Sequence, residues 1–89
     1  MSEIFIVEGF TGIYEDRLHW IVDAWSTEES ARARIRELSG LVSPLNKLEA
    51  QREWAQLEQA KQGMKKHDPQ FSIDTSGTHY RFITCQLKD

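Results

Sequence analysis

Residues 4–7, Ile-Phe-Ile-Val, form an uninterrupted apolar run, mostly β-branched, close to the start of the chain. A run of this kind suits a strand shielded on both faces or nearly so, which places it centrally in a sheet with a neighbour on either side. A chain of 89 residues supports one hydrophobic core, so the strand, its neighbours and their cover belong to a single domain, residues 1–89. Three Trp, two Tyr and four Phe in a chain with a 39% apolar share set it apart from disordered sequences.

Gly9-Phe10-Thr11-Gly12 interrupts the pattern, and apolar residues resume at Leu18. Residues 18–25 read as a second strand, with Leu18, Trp20, Val22 and Ala24 on one face and His19, Ile21, Asp23 and Trp25 on the other. The loop between the strands is too short for a helical crossover, which makes the pair antiparallel. Ser26-Thr27-Glu28-Glu29 matches a capping box with Ser26 as the cap, opening a helix on which Ala31, Ile35, Leu38 and Val42 recur at helical spacing. Gly40 is the expected stop. Ser43 and Pro44 then suit the start of a second helix, which runs without Pro or Gly as far as Gly63. Asp68-Pro69 marks a turn, Phe71 to Thr75 alternates as a strand would, Ser76-Gly77 suits a two-residue turn, and residues 78–87 are rich in strand formers. The expectation is an α+β fold: an antiparallel sheet of about four strands in ββααββ order, with a helical pair on one face.

No window approaches the roughly 18 apolar residues of a membrane span, and Met1-Ser2-Glu3 does not open a signal peptide, so a cytoplasmic location is expected. Cys85 has no partner for an intramolecular disulfide, in keeping with a reducing compartment. A net charge of −3 argues against a protein whose affinity comes from neutralising many phosphates. The charge is unevenly divided: residues 26–66 hold eight basic and six acidic side chains, the remainder three basic and eight acidic.

The opening strand, the stretch Thr11-Gly12-Ile13-Tyr14-Glu15-Asp16-Arg17 leading to Trp20, and Asp74-Thr75-Ser76-Gly77-Thr78-His79-Tyr80 together resemble short proteins of tailed phages and prophages. That group shows a Gly-x-Tyr-x-Asp-Arg loop and a Tyr-Thr-Gly-Thr-x-Tyr hairpin, and the resemblance spans most of the chain. Thr75-Ser76-Gly77-Thr78 departs slightly from the second motif. The resemblance implies a small accessory protein that binds a host or defence protein, and it brings no reaction, ligand or catalytic residue with it.

Candidate contact residues are Tyr14, Asp16, Arg17 and Trp20 in and after the first loop, and Gly77, His79 and Tyr80 at the expected hairpin. Arg and aromatic side chains are the types enriched at interface hot spots, with Asp16 placed to hold the guanidinium. The plainer reading has Asp16 capping its own turn and Arg17 solvated. No HxH, HxxxH or HExxH occurs, and Cys85 reads as a small buried hydrophobe, so neither a metal, a cofactor nor an enzyme activity is expected. Gly9-Phe10-Thr11-Gly12 lacks the lysine and the following helix of a phosphate loop. Arg32, Arg34, Arg36, Lys47, Arg52, Lys61, Lys65 and Lys66 offer the alternative function, a small nucleic-acid or nucleotide-binding regulator, though interleaved glutamates dilute their field. A second helix longer than the sheet beneath it points to a homodimer through Leu48, Trp54, Leu57 and Met64.

Overall fold

The computed structural model describes residues 2–13 and 17–88. Its elements are β1 (Ser2–Thr11), β2 (Leu18–Trp25), α1 (Glu28–Ala50), α2 (Trp54–Met64) and β3 (Thr78–Leu87). The class is α+β and the sheet is antiparallel, with β1 in the middle of the order β2-β1-β3. The apolar opening run is thus central, but the expected shielding of both faces is not found: Val7 is buried, whereas Ile4 and Ile6 on the other face are only half-buried. Among the described residues the sheet nevertheless has three strands, and the expected fourth is not found.

The missing strand is the alternating segment from Phe71, whose backbone is taken up by hydroxyls and turns instead of a ladder. The buried Thr11 hydroxyl accepts from the Asp74 amide and donates to the Gly77 carbonyl, both at 2.8 Å. The Thr78 hydroxyl donates to the Ser72 carbonyl at 2.6 Å, and the Gly77 amide closes a turn onto the Asp74 carbonyl at 2.8 Å. Gly77 sits at φ +80°, which favours glycine, and a Cβ there would lie 3.0 Å from the Asn46 side chain and press on it. The expected terminal hairpin is therefore replaced by a looped segment leading into β3.

The helices also divide differently. Thr27, not Ser26, caps α1, its hydroxyl accepting from the Ser30 amide at 3.1 Å. The helix passes through Gly40 and Pro44 to Ala50. An interior proline costs about 3 kcal/mol, but Leu38, Val42 and Leu45 are buried along one stripe, each stabilising by about 1.5–3 kcal/mol. The stripe outweighs the proline. The true break follows Ala50, where the Glu53 amide bonds to Leu48 O and the Arg52 amide to Glu49 O with Arg52 at φ 59°. That pattern is a Schellman stop with arginine in the position usually held by glycine.

β1 and β2 slip register once: Val7 faces Asp23 while Glu8 faces Ile21, leaving Val22 as a bulge. Strict alternation along β2 fails beyond this point, so Trp25 stands opposite Phe5 and Ala24 opposite Ile6. α1 covers the face that carries Val7, Trp20, Tyr80 and Phe82, and α2 packs on α1 rather than on the strands. Gly9 lies beneath the Trp20 indole, where a Cβ would come within 2.5 Å of ring carbons. At the centre of this core Asp68, 1% exposed, accepts through Oδ2 from Trp20 Nε1 and from the Tyr80 hydroxyl, each at 2.8 Å.

Candidate functional site

The helices lie on one side of the sheet only, and the other side is the candidate site. The β1–β3 register is unbroken, so side chains alternate strictly between the faces of these strands. The helix-free face carries Ile4, Ile6, Glu8 and Phe10 from β1 and His79, Arg81, Ile83, Cys85 and Leu87 from β3, each paired across the ladder. β2 adds His19 and Ile21 opposite Phe10 and Glu8. Ile21 is 62% exposed, Ile83 45% and Leu87 52%. Even the central strand's Ile4 and Ile6 are only half-buried, because no element among the described residues lies over them.

Polarity changes along this face in rows. At one end the row His19–Phe10–His79 gathers cations around one aromatic ring. The Arg81 guanidinium lies 4.8 Å and that of Arg17 5.1 Å from the Phe10 centroid, within cation–π range. The His79 and His19 rings stand 5.7 and 6.4 Å from it. Arg81 is ion-paired with Glu8, and its Nη2 approaches His19 Nδ1 at 3.4 Å. Beyond this row the face becomes aliphatic, through Ile21 and then Ala24, Ile6 and Ile83. Beside the cationic end a cleft of about 570 Å³ is lined by Phe10, Ile13, Arg17, Ser76, Gly77 and His79 among others.

Of the residues singled out from sequence, Arg17 and His79 meet in this cleft, and Gly77 forms its floor as a buried turn residue. Tyr14 and Asp16 lie outside the described residues. Trp20 and Tyr80 point the other way, into the helix-covered core, where Asp68 engages both. Trp20 is 7% and Tyr80 8% exposed, so both are mainly part of the core. Burial and the Asp68 hydrogen bond and charge push the Tyr80 phenol above its ordinary range, with Arg34 opposing. The helical patch expected to pair two copies is also largely internal: Leu57 and Met64 are each 3% exposed, Leu48 packs against the core, and Trp54 alone stands out at 52%. The shorter α2 packs on α1 and not on the strands.

Cys85 is exposed, not buried, since it falls on the uncovered face opposite Ile4. Among the described residues no group of three or more His, Cys, Asp or Glu is placed to hold a metal ion, and no helix is long and apolar enough to cross a membrane. The helical arginines are partly neutralised: Arg32 pairs with Glu28, and Arg34 with Asp23 and Glu37. Phe10, Arg81, Ile21 and Ile83 were absent from the sequence-based set of contact residues. Their signal lay in the alternation of β3, whose odd positions 79–87 share one face, together with the absence of any further element to cover it. Comparison with models of known protein families, with curated proteins and with solved structures finds no match.

Proposed function

We propose that this chain is a non-enzymatic accessory protein of the phage type that binds another protein, a host or defence component, through the helix-free face of its sheet. The observation that carries this reading is the juxtaposition on one uncovered surface of Ile21 and Ile83, both substantially exposed, with the Phe10, Arg17 and Arg81 cluster. Exposed aliphatic side chains next to arginine and aromatic groups supply both desolvation and directional contacts. Arg17 over Phe10, with Arg81 already paired to Glu8, suits a partner that brings a carboxylate to the rim of an apolar patch. The test is affinity capture from lysate of the host bacterium, comparing the natural chain with an Ile21→Glu/Ile83→Glu double variant. A protein retained by the first and lost by the second supports the reading. Identical captured sets from both, with the variant folded, would remove the sheet face from consideration.

A second reading has one specific observation behind it. Phe10 with two guanidinium groups on an open sheet could stack and neutralise a single-stranded nucleic acid, which moves the nucleic-acid alternative from the helices to the sheet. Titration with a single-stranded oligonucleotide at several salt concentrations separates the two. Binding that weakens steeply with salt and is lost in Phe10→Ala favours the nucleic acid.

A further inference from the structure

We propose that the free edge of β3 pairs antiparallel with the same edge of a second copy, about a two-fold axis near Thr84, to give a six-stranded sheet. This goes beyond the partner-binding reading and uses backbone groups at the edge, not the side chains of the open face.

The direction of the edge groups follows from Thr78. Its amide donates to Asn46 Oδ1 at 2.8 Å and its carbonyl accepts from Asn46 Nδ2 at 2.9 Å, so both point away from β1. The ladder has no irregularity, and alternation then turns the amides and carbonyls of Tyr80, Phe82 and Thr84 outward as well. Among the described residues β1 is the strand beside β3, and no turn or loop backbone group bonds to these outward groups. The two edges of the sheet differ in this respect. β2 is interrupted by its Val22 bulge, a common protection against pairing, whereas β3 is ten residues long with no bulge, proline or lysine.

The fold also limits where a second copy can sit. Asn46 occupies the edge at Thr78, and Arg32 of α1 stands over the Phe82 ring at 5.2 Å. Past Phe82 every side chain of β3 is exposed, on the helix side as well as the open side. An axis at Thr84 sets Phe82 opposite Gln86 of the second copy, Ile83 opposite Cys85 and Arg81 opposite Leu87. Arg81 is the only formally charged residue of β3, and this register keeps the two copies of it roughly 20 Å apart. Like charges do not meet.

The self-complementary register fits a second copy as the occupant, and the exposed area leaves room for such a contact. A compact monomer of 10.4 kDa exposes about 5,400 Å², whereas this chain exposes 6090 Å². The excess, about 700 Å², is spread over the whole chain, open face included, and is of the order of the roughly 800 Å² per partner of a standard interface. The Cα radius of gyration, 14.1 Å, likewise exceeds the approximately 12 Å of a compact chain of this length.

Amide exchange followed by NMR, alongside sedimentation equilibrium, tests the pairing on the full chain. The expected result is a mass of twice one chain, with the Phe82 and Thr84 amides becoming protected as concentration rises. The Arg81 and Ile83 amides, bonded to β1, serve as the protected reference. Thr84→Pro removes an outward amide and no ladder bond, and it should return the mass to a single chain, whereas Ile21→Glu on the open face should leave the doubled mass intact. A single-chain mass throughout the micromolar range overturns the proposal. So does a doubled mass with Phe82 and Thr84 amides exchanging freely, which would place the contact elsewhere. The exchange readout needs no variant, so misfolding of Thr84→Pro leaves the test standing.

Discussion

Asp68 is the residue on which the covered side of the sheet turns. One carboxylate oxygen holds the Trp20 indole and the Tyr80 hydroxyl, linking the segment after α2 to both edge strands at once. The other oxygen is buried without a partner among the described residues, so the side chain is retained at a desolvation cost that its two donors must offset. Asp68→Ala leaves both donors unsatisfied and is expected to cost about 2–4 kcal/mol in chemical denaturation, with a loss below about 1 kcal/mol showing that they find other acceptors. The phenol gives a pH signature. Tyr80 has a raised pKa in the folded state, so its contribution is complete below the unfolded value of about 10 and is lost as pH rises above it. Stability measured from pH 9 upward should therefore fall more steeply in the natural chain than in Tyr80→Phe. Trp20 and Tyr80 attracted attention in the sequence as exposed-contact types. Their true role was illegible there because the acceptor that draws them inward lies 48 residues from Trp20.

At the scale of elements, the sequence carried β1, β2, β3 and the existence of two helices, because each has a period or composition of its own. It misplaced the boundary between the helices for a physical reason. Gly40 and Pro44 are the usual punctuation, yet the stripe through Leu38, Val42 and Leu45 holds the helix together across them, while the actual stop uses Arg52 in a left-handed conformation that no composition rule flags. The cap was missed by one residue, since Ser26 and Thr27 are both competent and only geometry chooses. Thr27→Ala is expected to lower stability by about 1 kcal/mol and Ser26→Ala to leave it within about 0.5 kcal/mol. Equal losses in thermal or urea denaturation would contradict the observed cap. The segment from Phe71 shows the converse error: alternation was real, but the hydroxyls of Thr11 and Thr78 captured its backbone.

For the whole molecule the governing fact is that one face of the sheet is covered and the other is open. The candidate site was partly legible, in Arg17 and His79, and partly not, because which side the helices take is a tertiary outcome. The asymmetry has an energetic counterpart: Val7→Ala, on the covered side at 0% exposure, should cost about 2–3 kcal/mol. Ile21→Thr, on the open side at 62% exposure, should stay within about 0.5 kcal/mol. Comparable losses at the two positions, measured by urea denaturation, would mean that something covers the open face. The bulge at Val22 bears on what such a molecule can build. A sheet with two receptive borders can add copies without limit and grow into a fibre, whereas one whose second border is broken by an extra residue runs out of places to add after a single pairing. In the pairing proposed above, with β2 bulged and β3 used up, growth would stop at two chains, and one inserted residue would be enough to separate a closed particle from an open polymer.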